Sequence, residues 1–135
     1  MTIKKQEKKI ERLIDANLNR LKEGIRVVED ICRYIYDDKS LTSKLKKARH
    51  SIQKAYNQDR IINRDILGDI QKTTIKSELQ RENINDIIIA NFSRSQESAR
   101  VLEEMFKLMD MKLSEYFKYL RYELYEIERL FVKLI

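Results

Sequence analysis

One apolar stripe runs without a break through the first quarter of the chain and constrains its fold more than any other feature. Its eight members follow one another at intervals of three or four residues: Ile10, Ile14, Leu18, Leu21, Ile25, Val28, Cys32 and Ile35. This spacing places them on one face of an α-helix. The chain of 135 residues contains no proline and only two glycines. Because β-rich folds need frequent turn residues, the sequence predicts an all-α protein.

Three more stripes of the same kind follow. Their members are Leu41, Leu45, Ala48, Ile52 and Ala55; then Ile84, Ile88, Phe92, Ser95, Ala99, Leu102, Phe106 and Met109; and finally Leu113, Phe117, Leu120, Leu124, Ile127, Phe131 and Leu134. The short break after the first stripe predicts an antiparallel neighbour for the first helix. Ser40 is the residue we expect to cap the N-terminus of that second helix.

The two halves of the chain repeat one another. A shift of 74 residues aligns 16–33 with 90–107, and seven of the eighteen positions are identical. The shared signature is Ala-Asn-x-x-Arg-x-x-Glu-x-x-Arg-Val-x-Glu. A shift of 72 residues aligns the second helix of each half. We therefore predict a single domain over 1–135, a four-helix bundle of two repeated helical hairpins with a pseudo-twofold axis. The repeats span about 8–56 and about 82–135, and a long central loop spans about 57–81.

The repeated signature places an asparagine at the edge of each apolar stripe. Viewed down the helix axis, Arg20 lies just outside Asn17, and the angular position of Gly24 falls between them. Asn91, Arg94 and Ser98 take the same places in the second copy. Asparagine is unfavourable inside a helix because its amide competes for backbone hydrogen bonds. Its position predicts a polar niche where an arginine fork binds phosphate.

A purely structural interpretation of the signature stays open. Arg20, Glu23, Arg26 and Glu29 are spaced for an i,i+3 ladder of ion pairs. Gly24 and Ser98 would then serve only to let two helices approach closely.

The central loop carries a second group of chemical residues, Arg64-Asp65-x-x-Gly68-Asp69. Carboxylates hold Mg²⁺ through one or two oxygens together with substrate phosphates, and arginine neutralises charge on phosphoryl oxygens. The alternative is an ordinary solvated loop. The chain has neither a Walker A loop nor Gly-x-Gly-x-x-Gly, so side chains and helix ends would have to hold a nucleotide.

The net charge of +6 suggests a phosphate-bearing partner, either nucleic acid or a small phosphorylated metabolite. The 22 acidic residues are interleaved with the basic ones, and no nucleic-acid-binding signature is present, which favours the metabolite. The single cysteine, Cys32, is expected in the core, and His50 at the boundary or surface. The tyrosines of the last helix are expected to be packing and boundary residues. Without a signal peptide or a membrane-length apolar stretch, a cytoplasmic location is expected.

Taken together, these motifs resemble a known family. Asp15-Ala16-Asn17-x-x-Arg20-x-x-Glu23-Gly24 and the residues that follow resemble the start of the small monofunctional hydroxymethylpyrimidine-phosphate kinases of thiamine biosynthesis. These domains are often fused N-terminal to thiamine-phosphate synthase. The resemblance covers nearly the whole chain, through Leu45-Lys46-x-x-Arg49-His50, Arg64-Asp65-x-x-Gly68-Asp69, Ser77-Glu78-x-x-Arg81, Ala90-Asn91 to Glu103-Glu104, and Lys118-x-x-Arg121-Tyr122.

The resemblance implies phosphorylation of 4-amino-5-hydroxymethyl-2-methylpyrimidine phosphate to its diphosphate, with ATP and Mg²⁺. A synthase name would come from fused relatives, since 135 helical residues cannot supply a (β/α)₈ barrel. With this guide we hypothesise that Arg64, Asp65 and Asp69 are catalytic, with Asp65 and Asp69 as metal ligands. The substrate-binding candidates are Asn17, Arg20, Glu23, Asn91, Arg94, Glu97, Arg49 and Arg121.

Two other functions remain open at this stage. One is a non-catalytic helical interaction module associated with thiamine-phosphate synthase, and the other is a basic nucleic-acid-binding bundle. The sequence also leaves open whether the repeats form one composite site or two, and whether the protein is a homodimer.

Overall fold

The computed structural model describes residues 2–74 and 80–135, which form five α-helices. They are α1 (Ile3–Tyr34), α2 (Lys39–Ser51), α3 (Gln58–Ile62), α4 (Ile84–Phe106) and α5 (Met111–Leu134), and a 3₁₀ turn (Ile52–Ala55) extends α2. No β-strand occurs in these two described ranges. The all-α prediction is therefore confirmed. Ser77 and Glu78 of the resemblance lie outside the described residues.

The long helices begin at side chains that cap their free N–H groups. Thr2, Asp38, Asn83 and Asp110 each accept a hydrogen bond from a backbone N–H of the first turn. The expected cap of α2 at Ser40 is wrong. Asp38 takes this role, and its Oδ1 accepts a 2.8 Å hydrogen bond from the backbone N–H of Leu41. Asp37 makes the preceding turn with a φ of 50°, a conformation that aspartate tolerates better than most residues.

The predicted stripes form one continuous core except at some of their ends, where Ile84 and Leu134 are exposed. Its largest fully buried side chains include four phenyl rings, those of Phe92, Phe106, Phe117 and Phe131. The first and third stripes end one step earlier than their spacing suggests. Ile35 and Met109 are half-exposed, because α1 ends at Tyr34 and α4 at Phe106. These two residues are equivalent in the repeat, and each lies within three residues after the end of its helix.

The centre of the bundle is the α1–α4 pair, and each of these helices is flanked by the second helix of its own hairpin. Helices α2 and α5 also touch, which closes the four-helix arrangement. Gly24 lies where α1 crosses α4. A methyl group there would meet the side chain of Ser95 and the backbone oxygen of Asn91, at 3.1 Å from the latter. The expectation that Gly24 permits close helix packing is confirmed.

The duplication is visible as a pair of equivalent buried ion pairs. Glu29 of α1 accepts two hydrogen bonds from Arg49 of α2, at 2.7 and 3.1 Å. In the second hairpin, Glu103 of α4 accepts two from Arg121 of α5, at 3.3 and 3.0 Å. The shifts of 74 and 72 residues map one pair onto the other. Each hairpin is thus joined by the same polar link beside its apolar core.

The described part of the segment between the hairpins contains a short helix, α3, where the sequence predicts a loop. Arg60 of α3 is buried, and its Nε donates to Glu11 of α1 at 2.6 Å. Its Nη1 also donates to the backbone oxygen of Ala55. This arginine brings the start of the central segment against the first turns of α1.

Cys32 and His50 lie as expected, whereas three of the four tyrosines of the last helix are exposed instead of packed. Cys32 is fully buried and His50 is exposed. On α5, Tyr116 is half-buried and packs edge-on against Phe117, whereas its three neighbours Tyr119, Tyr122 and Tyr125 are exposed. Among the described residues, no helix is both long and apolar enough to cross a membrane.

Candidate functional site

A groove of about 530 Å³ separates α1 from the central segment. Six of the predicted site residues line it, three from each side: Asn17, Arg20 and Glu23 of α1, and Arg64, Asp65 and Asp69 of the central segment. We call it the α1–loop groove. The two groups that the sequence marks separately therefore meet in one place.

Three contacts hold the central segment against α1. Arg64 forks onto the buried carboxylate of Asp15, with its Nε at 2.7 Å and its Nη2 at 2.9 Å. Arg12 donates to the backbone oxygen of Asp65 at 3.1 Å. One turn away, Arg60 pairs with Glu11. Arg60 and Arg64 are four residues apart, and so are Glu11 and Asp15. Consecutive turns of α1 therefore contact consecutive parts of the central segment.

Our sequence reasoning missed this set of contacts. Glu11 and Asp15 resemble ordinary polar positions of an amphipathic helix when that helix is considered alone. The matching i,i+4 spacing of Arg60 and Arg64 is the pattern that could have indicated the contact. The consequence for Arg64 is that two of its donor groups are engaged with Asp15, and its guanidinium is held in place at the wall of the groove.

The carboxylates of the central segment stabilise tight turns. Asp65 Oδ1 accepts a 2.7 Å hydrogen bond from the backbone N–H of Gly68, and Asp69 Oδ1 accepts one of 2.9 Å from Gln71. A Cβ atom at position 68 would overlap the carboxylate of Asp65, so a larger residue there would displace that carboxylate from its present position. Each aspartate uses one oxygen in these bonds, and both residues line the groove.

The asparagines of the repeated signature are fixed in the same way in both copies. Asn17 donates its Nδ2 to the backbone oxygen of Leu13 at 3.0 Å, and Asn91 donates to Ile87 at 2.8 Å. Asn17 is buried within the bundle, at only 6% exposed, and reaches the groove. This bond fixes the orientation of the amide, and the amide oxygen remains a potential acceptor.

The ion ladder does not form as the sequence suggests. In the described residues Arg20 and Glu23 make no ion pair, Arg26 pairs with Asp30 at 3.4 Å, and Glu29 turns to Arg49 on the neighbouring helix. The second copy retains one i,i+3 pair, in which Arg100 Nη1 lies 3.0 Å from Glu103. In the first copy, Arg49 of the neighbouring helix binds Glu29 in place of the ladder. Arg20 and Glu23 are exposed beside the groove.

The second copy of the signature does not reach the α1–loop groove. Asn91, Arg94 and Glu97 lie on α4, and Glu97 lines a separate, smaller groove with Arg100 and Tyr125. The structure thus combines the first copy with the central segment rather than combining the two copies. Arg49 and Arg121 lie in their interhelical ion pairs. Arg81 is exposed at the end of the central segment.

The donor set suits a weakly held, substrate-bound metal better than a protein-only cage. Within the described ranges no cluster of three or more His, Cys, Asp or Glu side chains is positioned to hold a metal ion. The groove offers two aspartates. Mg²⁺ is typically bound through one or two carboxylates plus substrate phosphates, and this pair of aspartates can supply the carboxylates.

Comparison with known proteins gives one family and a set of longer relatives. A model described as the ThiD2 family matches residues 12–130. The chain is 37% identical over 123 residues to a thiamine-phosphate synthase of Thermosynechococcus vestitus, covering 90% of this chain and 35% of that protein. It is 36% identical to the proteins of the same name from Prochlorococcus marinus and Rhodopirellula baltica. These matches cover 93% and 84% of this chain, and 36% and 32% of the relatives.

The chain therefore spans about a third of the length of the curated relatives it matches. No solved structure shows a significant match to it.

Proposed function

Because the chain belongs to the ThiD2 family of thiamine biosynthesis, we propose that it is a kinase acting on 4-amino-5-hydroxymethyl-2-methylpyrimidine phosphate. In this reaction an oxygen of the acceptor phosphate attacks the γ-phosphorus of ATP, the bond to ADP breaks, and the pyrimidine diphosphate forms. The observation that carries the proposal is the α1–loop groove. Two arginines and two aspartates, drawn from the repeated signature and from the central segment, line that one groove.

Arginine is the group that this reaction needs most. Phosphoryl transfer depends on positioning and on neutralising charge rather than on covalent chemistry with the protein. Arg20 makes no ion pair within the described residues and is exposed at the groove, so its guanidinium can bind the acceptor phosphate. Arg64 is held by Asp15, which leaves its Nη1 group for a second contact. The exposed Arg20 and the fixed Arg64 would together bind a phosphate group.

The aspartates need not act as bases. The second pKa of a phosphate monoester is about 6, so the acceptor oxygen is already ionised at neutral pH. Asp65 and Asp69 are better suited to orienting the reactants, and to holding Mg²⁺, which would neutralise charge on the transferred group. The hydrogen bonds from Gly68 and Gln71 fix both carboxylates for this role.

Asn17 is placed to recognise the pyrimidine. One N–H of its amide donates to Leu13, and its amide oxygen can accept a hydrogen bond from a ligand. The exocyclic amino group of an aminopyrimidine is a donor and would match it. Asn91 makes the same internal bond but lies outside the α1–loop groove, so it has no equivalent role there.

ADP release with the pyrimidine monophosphate, ATP and Mg²⁺ tests the proposal. Arg20→Ala and Asp69→Asn are expected to lower kcat/KM by 10²-fold or more, because each removes a charged contact in the transition state. Both variants should keep the helicity and melting temperature of the parent. Arg129→Ala is the control, since it removes an exposed ion pair with Glu126 on α5.

Three outcomes would count against the proposal. No turnover by a folded sample would favour a non-catalytic module associated with the synthase. Unchanged activity in both groove variants would move the site elsewhere. Binding to mixed oligonucleotides with a steep salt dependence, in the absence of turnover, would favour the nucleic-acid alternative. Comparing Arg20→Ala with Arg94→Ala tests whether one copy of the signature serves the site, in which case the Arg20 change has the larger effect.

A further inference from the structure

A second groove, of about 670 Å³, lies between α1 and α2 beside the α1–loop groove. Its lining comes from α1, from the end of α2 and from the 3₁₀ turn: Lys22, Glu23, Arg26, Arg49, His50 and Gln53. We call it the α1–α2 groove. The proposed function so far gives it no role.

The repeat supplies an internal comparison for this groove. Between α4 and α5 lies its counterpart, a groove of about 340 Å³ lined by Ser93, Gln96, Glu97, Arg100 and Tyr125. The shifts that relate the hairpins place Gln96 on Lys22, Glu97 on Glu23 and Arg100 on Arg26, and they place Tyr125 on Gln53. The duplicated bundle therefore has two equivalent grooves, one in each hairpin.

The two grooves differ in the chemistry of their walls. In the first, Lys22 is a cation where the second has Gln96. His50 lines the first groove, whereas its sequence counterpart Tyr122 is not among the residues that line the second. Gln96 is itself engaged, since it donates to Glu128 at 2.8 Å. The first groove has three permanent cations against one acid in its lining and is about twice as large. It is therefore the one suited to an extended anion.

Three of the basic side chains in the first groove, those of Lys22, Arg26 and His50, are at least partly exposed, whereas that of Arg49 is four-fifths buried. Lys22 makes no ion pair among the described residues, and His50 is exposed at the end of α2. The guanidinium of Arg26 is half-exposed, and its contact with Asp30, at 3.4 Å, is a long one. Arg49 uses its Nε and Nη2 on Glu29, which leaves Nη1 as a donor. Several donors on two helices could thus bind successive phosphate groups.

Glu23 lines both grooves. Ligands that occupied the two grooves would meet at this residue, as the two substrates of a phosphoryl transfer must. Between two phosphate groups its carboxylate would be repelled, unless the divalent cation that accompanies a nucleoside triphosphate in solution lies nearby.

We propose that the α1–α2 groove binds the phosphate chain of the nucleoside triphosphate, while the α1–loop groove binds the pyrimidine monophosphate. This inference rests on the kinase function proposed above. It deepens that function by assigning each substrate to its own groove, with Lys22 and Arg26 as the specific contacts of the triphosphate.

The test is the double variant Lys22→Ala/Arg26→Ala. Loss of two charge-assisted contacts is expected to raise the KM for ATP at least tenfold, with the KM for the pyrimidine monophosphate changed less than twofold. The matched control is Gln96→Ala/Arg100→Ala. It removes the equivalent side chains of the other hairpin, including the Arg100–Glu104 pair that corresponds to Arg26–Asp30. This control should leave both KM values near those of the parent.

Three kinetic results would overturn the inference. They are an unchanged KM for ATP in the first variant, an equal rise in the control, or a rise in the KM for the pyrimidine instead. Far-UV circular dichroism and thermal melting of each variant separate a loss of binding from a loss of folding.

Direct binding of inorganic tripolyphosphate, measured by calorimetry, separates this inference from the kinase proposal. If the parent protein shows no turnover, the kinase proposal fails. The groove assignment then still stands if the parent binds tripolyphosphate and Lys22→Ala/Arg26→Ala weakens that binding at least tenfold. Equal binding by parent and variant, or no binding by the parent, would overturn the groove assignment whatever the activity.

Discussion

At the scale of single residues, Cys32 shows how packing controls ionisation. Its side chain is fully buried in the core stripe of α1. Burial, and secondarily the carboxylate of Asp38, raises the pKa of the thiol from an ordinary 9.0 to about 11. The thiol is therefore protonated and inert at neutral pH, and acts as a small apolar side chain.

This pKa shift predicts a stability effect in alkaline solution. As the pH rises, the unfolded chain loses the thiol proton near pH 9, whereas the folded protein keeps it up to about pH 11. Between these values Cys32 should therefore lower the free energy of unfolding, on the order of 1–2 kcal/mol by pH 10.5. Urea denaturation of the parent and of Cys32→Ala, under reducing conditions from pH 7.5 to 10.5, measures it. The difference between the two proteins should shrink as pH rises, and a constant difference would contradict the burial argument.

Single residues were predictable where one helix decides their environment. The close approach at Gly24 follows from the phase of one apolar stripe, whereas Asn17, expected at the boundary, is buried. The ladder of Arg20, Glu23, Arg26 and Glu29 did not form, because Glu29 has a partner on α2. Periodicity along one helix gives the direction of a side chain, but it does not identify which residue of a neighbouring helix will face it.

At the scale of elements, interhelical ion pairs hold the hairpins. Glu29–Arg49 and Glu103–Arg121 are equivalent by the repeat, and all four side chains are at least four-fifths buried. They differ in one respect. Glu103 has a second cation, Arg100, at 3.0 Å, whereas Arg26 of the first hairpin pairs with Asp30 instead. Within the part of the chain that the structure describes, Arg49 is therefore the one cation paired with Glu29.

Arg49→Ala should destabilise the protein more than Arg121→Ala. The first change leaves the carboxylate of Glu29 buried with no cation, at a cost of ~3 kcal/mol in free energy of unfolding. The second leaves Glu103 with Arg100, so we expect about half that loss. Urea denaturation of the two single variants gives the comparison, and Glu29→Leu/Arg49→Leu should recover most of the loss. Equal losses in the two hairpins would show that Arg100 does not compensate.

At the scale of the whole molecule, the helical architecture and its duplication were predictable, while the assembly of the site was not. The spacing of the stripes and the 74-residue repeat can both be read directly from the sequence, and both are present in the α1–α4 core. The groove depends instead on Arg64 meeting Asp15, a contact between residues 49 positions apart. The spacing of four between Arg60 and Arg64 matches that between Glu11 and Asp15, but this match alone does not show that the central segment folds back over α1.

The shared core predicts that the two hairpins unfold together. Helix α1 buries its apolar stripe against α4 of the other hairpin. Each hairpin alone would therefore expose part of its apolar core to water. Calorimetry should show a single transition, with an enthalpy of about 90 kcal/mol near 60 °C and equal to the van't Hoff value. In hydrogen exchange, Arg49→Ala should lower the protection of core amides in α5 as much as in α1, although the change lies in the first hairpin. Two calorimetric transitions, or unaltered protection in α5, would mean that each repeat is stable by itself and that the α1–α4 contact only docks two finished units.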